Sequence, residues 1–409
     1  PARRPSRSTM TPEAQELWQR RFRRAGRGLF FTHLLTIWSL ALSNVALGLS
    51  VLASAGSFKS RVWTLRASRP LVVGLAGYVL WLLAAIVASA EPGRSVFALS
   101  ELFSLTTLVL ALVLLENERQ VRRLVDALGV VGAAIAANGL GQLLLGWGDL
   151  DRRIRGPLSH YMTFSGVLLV IDFLLIGRLA HPSGRKSAWR WLAVVLINVA
   201  IIGSLTRSAW VALALGLVVL LVLKAPRALL ALPTLGLVFF LLAPVPVVHR
   251  LFSIGDMRDE SNYDRLCMAE AGLTMVAEQP LFGIGPDLVK ERYPLYRVPT
   301  APRYTVPHLH NSYLQLAAER GLPALAAYLL MLFSAGVLAV RSARAEGGWA
   351  GPRGDLHLGV VLSLLAFSVA GIFENNWGDT EVQRLVLAVL ALPFVLAGEQ
   401  AVSEPPSPG

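Results

Sequence analysis

One cysteine, Cys267, in 409 residues leaves no partner for an intrachain disulfide and rules out a cysteine-based metal site. Charge is scarce as well: 16% of residues are Asp, Glu, Lys or Arg, against roughly a quarter in soluble domains. Several motifs of known chemistry are missing. There is no Gly-x-x-x-x-Gly-Lys phosphate loop, no Gly-x-Ser-x-Gly elbow and no His-Glu-x-x-His zinc helix. Internal repeats and low-complexity tracts are also lacking.

What fills the chain is apolar: 54% of residues are hydrophobic and the mean hydropathy is +0.56. Runs of about 20 such residues are long enough to cross a bilayer, and they recur at 29–55, 71–89, 96–115, 124–146, 160–179, 188–203, 208–223, 228–247, 312–340, 358–376 and 382–397. The expected fold is therefore an all-α polytopic integral membrane protein. The basic N-terminus before a long apolar run reads as a retained tail rather than a cleaved leader, because more hydrophobic segments follow.

The distribution of positive charge sets the orientation. With the Arg341–Arg353 loop taken as cytoplasmic, the Lys59–Arg69 loop falls on the same side, and so must the Arg-rich tail. A single helix over 29–55 would separate those two segments. Two short helices folded back near Ser43-Asn44 keep them together and predict about 12 crossings with both termini cytoplasmic. About 24 of the 38 Lys and Arg then face the cytoplasm, and seven of the other 14 sit in one long polar loop. The net charge of +12 is thus an orientation signal, which argues against nucleic acid as a partner.

This layout predicts a basic cytoplasmic tail over 1–28, about nine transmembrane helices over 29–248, a periplasmic loop over 249–311, three further helices over 312–398 and a cytoplasmic tail over 399–409. Within the loop, Leu266, Ala269, Leu273 and Val276 repeat at helical steps. They predict a helix over Tyr263–Glu278, capped by Asn262 or Ser261. Tyr293-Pro294-Leu295-Tyr296-Arg297 reads as extended.

The chemistry-bearing residues cluster around this loop. Ser312-x-x-Gln315 reads as a capping box that starts a helix at Tyr313, with His310 just outside it. The positive end of the helix dipole disfavours an imidazolium there, as a general base requires. The same position also suits a histidine that only hydrogen-bonds the helix entrance. His308 pairs with His310, but no other His or Cys lies nearby in sequence, so a metal site is not expected. Arg207 stands in a tight hairpin between two apolar helices, where a guanidinium needs an anionic partner or an interfacial position. A diphosphate suits it, through paired N–H donors. Arg265 beside Asp264 is equally compatible with a surface ion pair. Arg152, Arg153, Arg155 and His160 form a second basic cluster suited to an anion. Asp172 is a charge inside an apolar helix, with Arg178 six residues on, and neither belongs to a transporter-like array of facing acids.

Together, Thr206-Arg207-Ser208-Ala209-Trp210, Arg265, Pro280-Leu281-Phe282-Gly283-Ile284-Gly285, His310-Asn311-Ser312-Tyr313-Leu314 and Glu319-Arg320-Gly321 resemble the O-antigen ligase family, over about 202–325. That family shares its signature region with O-antigen polymerases and some protein O-oligosaccharyltransferases. The resemblance implies a GT-C-like, metal-independent glycosyltransferase with no cofactor, in the inner membrane of a Gram-negative bacterium. It would move a glycan from undecaprenyl diphosphate to the lipid A-core at the periplasmic face. It also implies that Arg207 and Arg265 hold the diphosphate and His310 is catalytic. Beside these, Asn311, Arg320, Arg155, His160 and His308 are further site candidates by position. A functional position in the last periplasmic turn falls on Glu374, Trp377 or Asp379. A lipid-linked sugar transporter is the competing class.

Overall fold

The computed structural model describes residues 12–55, 68–147, 153–182 and 184–403. The chain is helical, and no strand occurs among the described residues. In order the main helices are α1 (Pro12–Leu35), α2 (Leu40–Ser54), α3 (Arg69–Ala88), α4 (Ser100–Leu114), α5 (Glu118–Leu144), α6 (Tyr161–Leu179), α7 (Ala188–Gly203) and α8 (Arg207–Lys224). They continue as α9 (Leu232–Leu242), α10 (Val245–Phe252), α11 (Glu260–Glu278), α12 (Val289–Tyr296), α13 (Ser312–Ala345), α14 (Gly354–Phe373) and α15 (Thr380–Ser403). Among the described residues, eight helical stretches are long and apolar enough to cross a membrane, and three shorter apolar ones accompany them. This fits a polytopic membrane protein.

The centre of the bundle is α6, α14 and α15. α14 packs along α6 and α8, α15 along α4, and α13 along α3. Gly177 of α6 faces the backbone of Gly359 in α14, with the Gly359 Cα 2.5 Å from where a Cβ would sit. Small residues let membrane helices approach this closely, since packing rather than water exclusion holds them together. Leu235, Leu237, Phe240, Leu241 and Leu242 of α9 lie exposed, as expected of a helix bathed in lipid.

The bundle end opposite the loop is tied by ion pairs that no local pattern announces. Buried Asp355 of α14 pairs with Arg122 of α5 and, at 2.7 Å, with Arg178 of α6. Asp126 pairs with Arg190 at 2.9 Å. Asp172 is satisfied separately: Asn198 of α7 donates to both its oxygens, at 3.0 and 3.1 Å. Each charge is therefore paired or hydrogen-bonded, which its burial demands.

The early hairpin forms, but its turn is at 36–39 and not at Ser43-Asn44. Ser43 is inside α2, where its hydroxyl meets His33 Nδ1 at 2.8 Å, and the chain reverses where the Ser39 N–H reaches the Thr36 carbonyl. The border expected at residue 28 falls inside α1, whose Arg23 and Arg27 pair with Glu116. The border at 248 likewise falls inside α10. The loop helix α11 starts earlier than predicted, because Asp259 caps it by accepting the Asn262 N–H at 3.1 Å. Residues 289–296, read as extended, form α12 with Pro294 inside.

The loop is fastened to α13 by backbone. The Ile284 N–H donates to the Ala318 carbonyl at 2.8 Å, Gly285 to Glu319 at 3.2 Å and Leu322 to Pro280 at 2.8 Å. Gly283 and Gly321 take left-handed φ values of 69° and 83°, and a Cβ at either would strike the facing backbone. α13 breaks at Gly321, followed by Pro323.

Candidate active site

α13 begins at Ser312 with Asn311 as its cap, one residue earlier than the capping box implied. The Asn311 side chain accepts the Leu314 N–H at 2.9 Å, and Gln315 reaches back to the Leu309 N–H at 2.8 Å. The backbone between these two anchors is strained: His310 has φ 49°, a left-handed value uncommon for a residue with a side chain. That conformation aims the ring across to the turn after α14. There, Ser312 Oγ lies 2.8 Å from Asn376 Oδ1 and accepts the Trp377 N–H at 3.2 Å, holding the turn in place.

His310 Nδ1 lies 3.0 Å from both carboxylate oxygens of Glu374. Arg265 NH2 of α11 is 3.7 Å from Glu374 Oε2, and His308 Nε2 is 3.8 Å from Oε1. The two histidine rings sit 4.3 Å apart. Burial acts to raise the Glu374 carboxyl, but its bond to His310 and the neighbouring His310, His308 and Arg265 outweigh this and hold it below its usual range. Glu374 is thus an ionised acceptor, and the ring nitrogen facing it is the protonated one. The Nε2 atom is the ring nitrogen Glu374 leaves free. Burial lowers His308 to about 4, so it stays uncharged near neutrality.

These groups border a polar cavity of about 510 Å³. Arg153, Arg250, Arg265 and Arg303 stand in its wall with His160, His308, His310, Glu374 and Asp379. Arg303 pairs with Asp264 at 3.1 Å, and Arg153 stacks over Tyr161 at 4.6 Å. Burial lowers Arg265 from its ordinary value, with Glu374 opposing that. Burial also pushes Asp379 up to about 7, with nearby Glu374 adding to the rise and a Thr163 hydroxyl bond at 3.0 Å opposing it. The arginines give the cavity a cationic cast that suits an anion.

Arg207 sits elsewhere. It opens α8 and is buried, with NH1 on the Ser253 carbonyl at 2.9 Å and NH2 on Asp259 at 3.1 Å. Arg207 and Arg265 share the wall of a smaller, largely apolar cavity of about 200 Å³ with Val211, Ile254, Leu266 and Phe373. Arg265 is therefore common to an apolar and a polar cavity. His160 caps α6 by accepting the Met162 N–H at 3.2 Å. Arg155 only staples its own loop, donating to the Ser159 carbonyl, and Arg152 lies outside the described residues. Trp377 is a core residue bonded to Tyr78. Arg320 pairs with Glu101 and borders a different cavity.

The fold also alters the metal question. His308, His310 and Glu374 present ligand atoms within 4.8 Å of one another, a three-ligand set able to hold a metal ion. Sequence spacing shows two of the three, because Glu374 lies 64 residues from His310. Arg250 and Arg303 join the cavity wall only through the fold, because nothing local separates them from other loop arginines.

Residues 192–329 match the model of a known family, O-antigen ligase. This stretch carries the O-antigen ligase family signature. It covers about a third of the chain and includes Arg207, Arg265, His308, His310 and Arg320, while Glu374 and Asp379 lie beyond it. No curated protein matches the chain. The O-antigen ligase match supports a function of the ligase or polymerase type, and with it glycosyltransferase-like activity in a bacterial inner membrane.

Proposed function

We propose that the protein is an O-antigen ligase that moves a glycan from undecaprenyl diphosphate to a sugar hydroxyl of the lipid A-core at the periplasmic face. The observation that carries this reading is His310 held through Nδ1 by Glu374 in a cavity walled by arginines. The shared position of Arg265 supports it, because the donor is half lipid and half charge. Its polyprenyl end suits the apolar cavity, and its diphosphate suits the arginines. Arg207, already bound to Asp259, chiefly holds the wall in shape.

In this mechanism His310 Nε2 takes the proton of the acceptor hydroxyl as its oxygen attacks the anomeric carbon. The bond from that carbon to the diphosphate oxygen breaks, and undecaprenyl diphosphate leaves with the electron pair. Glu374 stabilises the charge gained by the ring. Arg265, aided by Arg250 and Arg303, stabilises the charge gained by the leaving group, which a preorganised site does at the scale of several kcal/mol. No nucleotide is required, since the diphosphate is already a leaving group.

The test is reconstitution of purified protein with lipid-linked donor and lipid A-core. Transfer is expected with wild type and should fall about 10²–10⁴-fold in His310→Ala. Activity should survive a chelator. Loss of activity with EDTA and rescue by zinc would instead favour the metal-binding reading of His308, His310 and Glu374. Product that migrates as longer lipid-linked glycan or as glycoprotein would make the protein a polymerase or a protein O-oligosaccharyltransferase. Donor crossing vesicles without a new glycosidic bond would make it a transporter.

A further inference from the structure

A second polar cavity, of about 340 Å³, lies beside the first, and Pro307 and His308 stand in the walls of both. Its chemistry is the reverse of its neighbour's. Carboxyl groups of Glu101, Asp287, Glu291 and Glu319 border it, with Lys290, Arg320 and the amides of Gln315, Asn375 and Gln383. Its buried cation, Arg320, is already matched by Glu101 at 2.9 Å. Glu101 also accepts from Tyr78 and Gln383, each at 2.8 Å, and Glu319 accepts from Gln315 at 2.7 Å, so the wall is rigid.

Asp287 is the exception within this frame. Its backbone takes φ 61°, and its carboxylate has no hydrogen-bond partner among the described residues. The chain on either side is pinned: the Ser95 hydroxyl donates to the Pro286 carbonyl at 2.8 Å, and the Gly285 N–H to Glu319. This carboxylate, exposed at the rim of a preformed polar cavity, is placed to accept from a ligand hydroxyl. Carboxyl and amide groups exchange hydrogen bonds with hydroxyl groups, and the four carboxyl groups outnumber Lys290 and Arg320, so the lining lacks the arginine cluster that suits a phosphate.

We propose that this cavity is the acceptor subsite, taking a neutral, hydroxyl-rich sugar and presenting one hydroxyl past the His308 ring to His310. The inference rests on the transferase reading above. It divides the two substrates by charge: diphosphate on the arginine side of His308, neutral sugar on the carboxylate side. The 340 Å³ volume falls at the small end of the range for ligand sites, roughly 300–1,000 Å³, which leaves room for a short saccharide.

The test uses full-length protein in detergent and a soluble probe, the dephosphorylated oligosaccharide released from lipid A-core by mild acid. Ser100→Trp fills the cavity from an exposed position at the start of α4, and Asp287→Asn removes the free acceptor charge. The expected result is saccharide binding by wild type, weakened at least tenfold in Ser100→Trp and severalfold in Asp287→Asn, with binding of undecaprenyl diphosphate glycan unchanged. Unaltered saccharide affinity in both variants overturns the proposal, as does an equal loss of donor affinity. The binding readout does not depend on turnover. Saccharide binding lost in Ser100→Trp, with no transfer by wild type, would uphold the cavity's role and overturn the ligase reading. Transfer with an unchanged acceptor KM in both variants would do the opposite.

Discussion

Glu374 and His310 lie 64 residues apart and meet at 3.0 Å, carboxylate to Nδ1, at the mouth of the arginine-lined cavity. The pair orients the ring and sets which nitrogen is free, so its loss should be visible in rate and in pH profile together. Glu374→Gln keeps the shape but removes the charge that stabilises a protonated ring. We expect kcat to fall about 10²-fold or more, on the scale of general base catalysis, with donor KM little changed. Loss of the carboxylate disfavours the protonated ring, so the acid limb of the profile should move to lower pH, further in Glu374→Gln than in Glu374→Asp. An unchanged profile would reduce Glu374 to a structural contact.

Arg265 and Arg207 should separate by phenotype. Arg265 borders both cavities and makes only a long contact to Glu374, so Arg265→Ala should raise donor KM and lower kcat. Arg265→Lys should recover only part, because an ammonium lacks the paired donors of a guanidinium. Arg207→Ala breaks buried bonds to Ser253 and Asp259 and should lower Tm more than Arg265→Ala does. Equal effects on Tm and donor KM from both would contradict this division.

Asp379 makes the site sensitive to pH near neutrality. Its folded-state pKa is raised to about 7 from 3.8, so folding favours the neutral acid. The stability it contributes is full below its unfolded value and is lost as pH rises through about 7. Between pH 6 and 8 a second negative charge therefore develops beside Glu374. Donor KM should rise and Tm fall across that window. Asp379→Asn should flatten both curves, and persistence of either slope in the variant would assign it to another group.

Gly321 is the break within α13 against which the loop is fastened. Alanine there must take φ 83°, at a cost of roughly 1–2 kcal/mol for left-handed backbone. It also meets the Leu281 carbonyl. Gly321→Ala should lower Tm and impair donor and saccharide binding alike, because both cavities are built on the segment that Gly321 anchors. Gly336→Ala lies in the same helix with open space around it and is the control, expected to be near neutral.

Membrane architecture was legible in the chain itself because lipid imposes long apolar helices wherever backbone must cross it. The apolar runs at 71–89, 160–179 and 188–203 return as α3, α6 and α7 within a residue or two. Arg207 stood out as a charge between apolar helices and His310 by its place at a helix entrance, whereas Arg265 was marked only by the family resemblance. What the sequence could not settle was partnership. Whether Arg207 serves a ligand or Asp259, and which of Glu374, Trp377 and Asp379 meets the histidine, depends on how α8, α11, α13 and the α14–α15 turn converge. Those contacts span 46–64 residues, far beyond any periodicity. The turn at 36–39, the helix over 289–296 and the carboxylate-lined cavity likewise arise from side chains satisfied across the fold. Local composition marked where chemistry was concentrated, and tertiary packing decided which groups face one another.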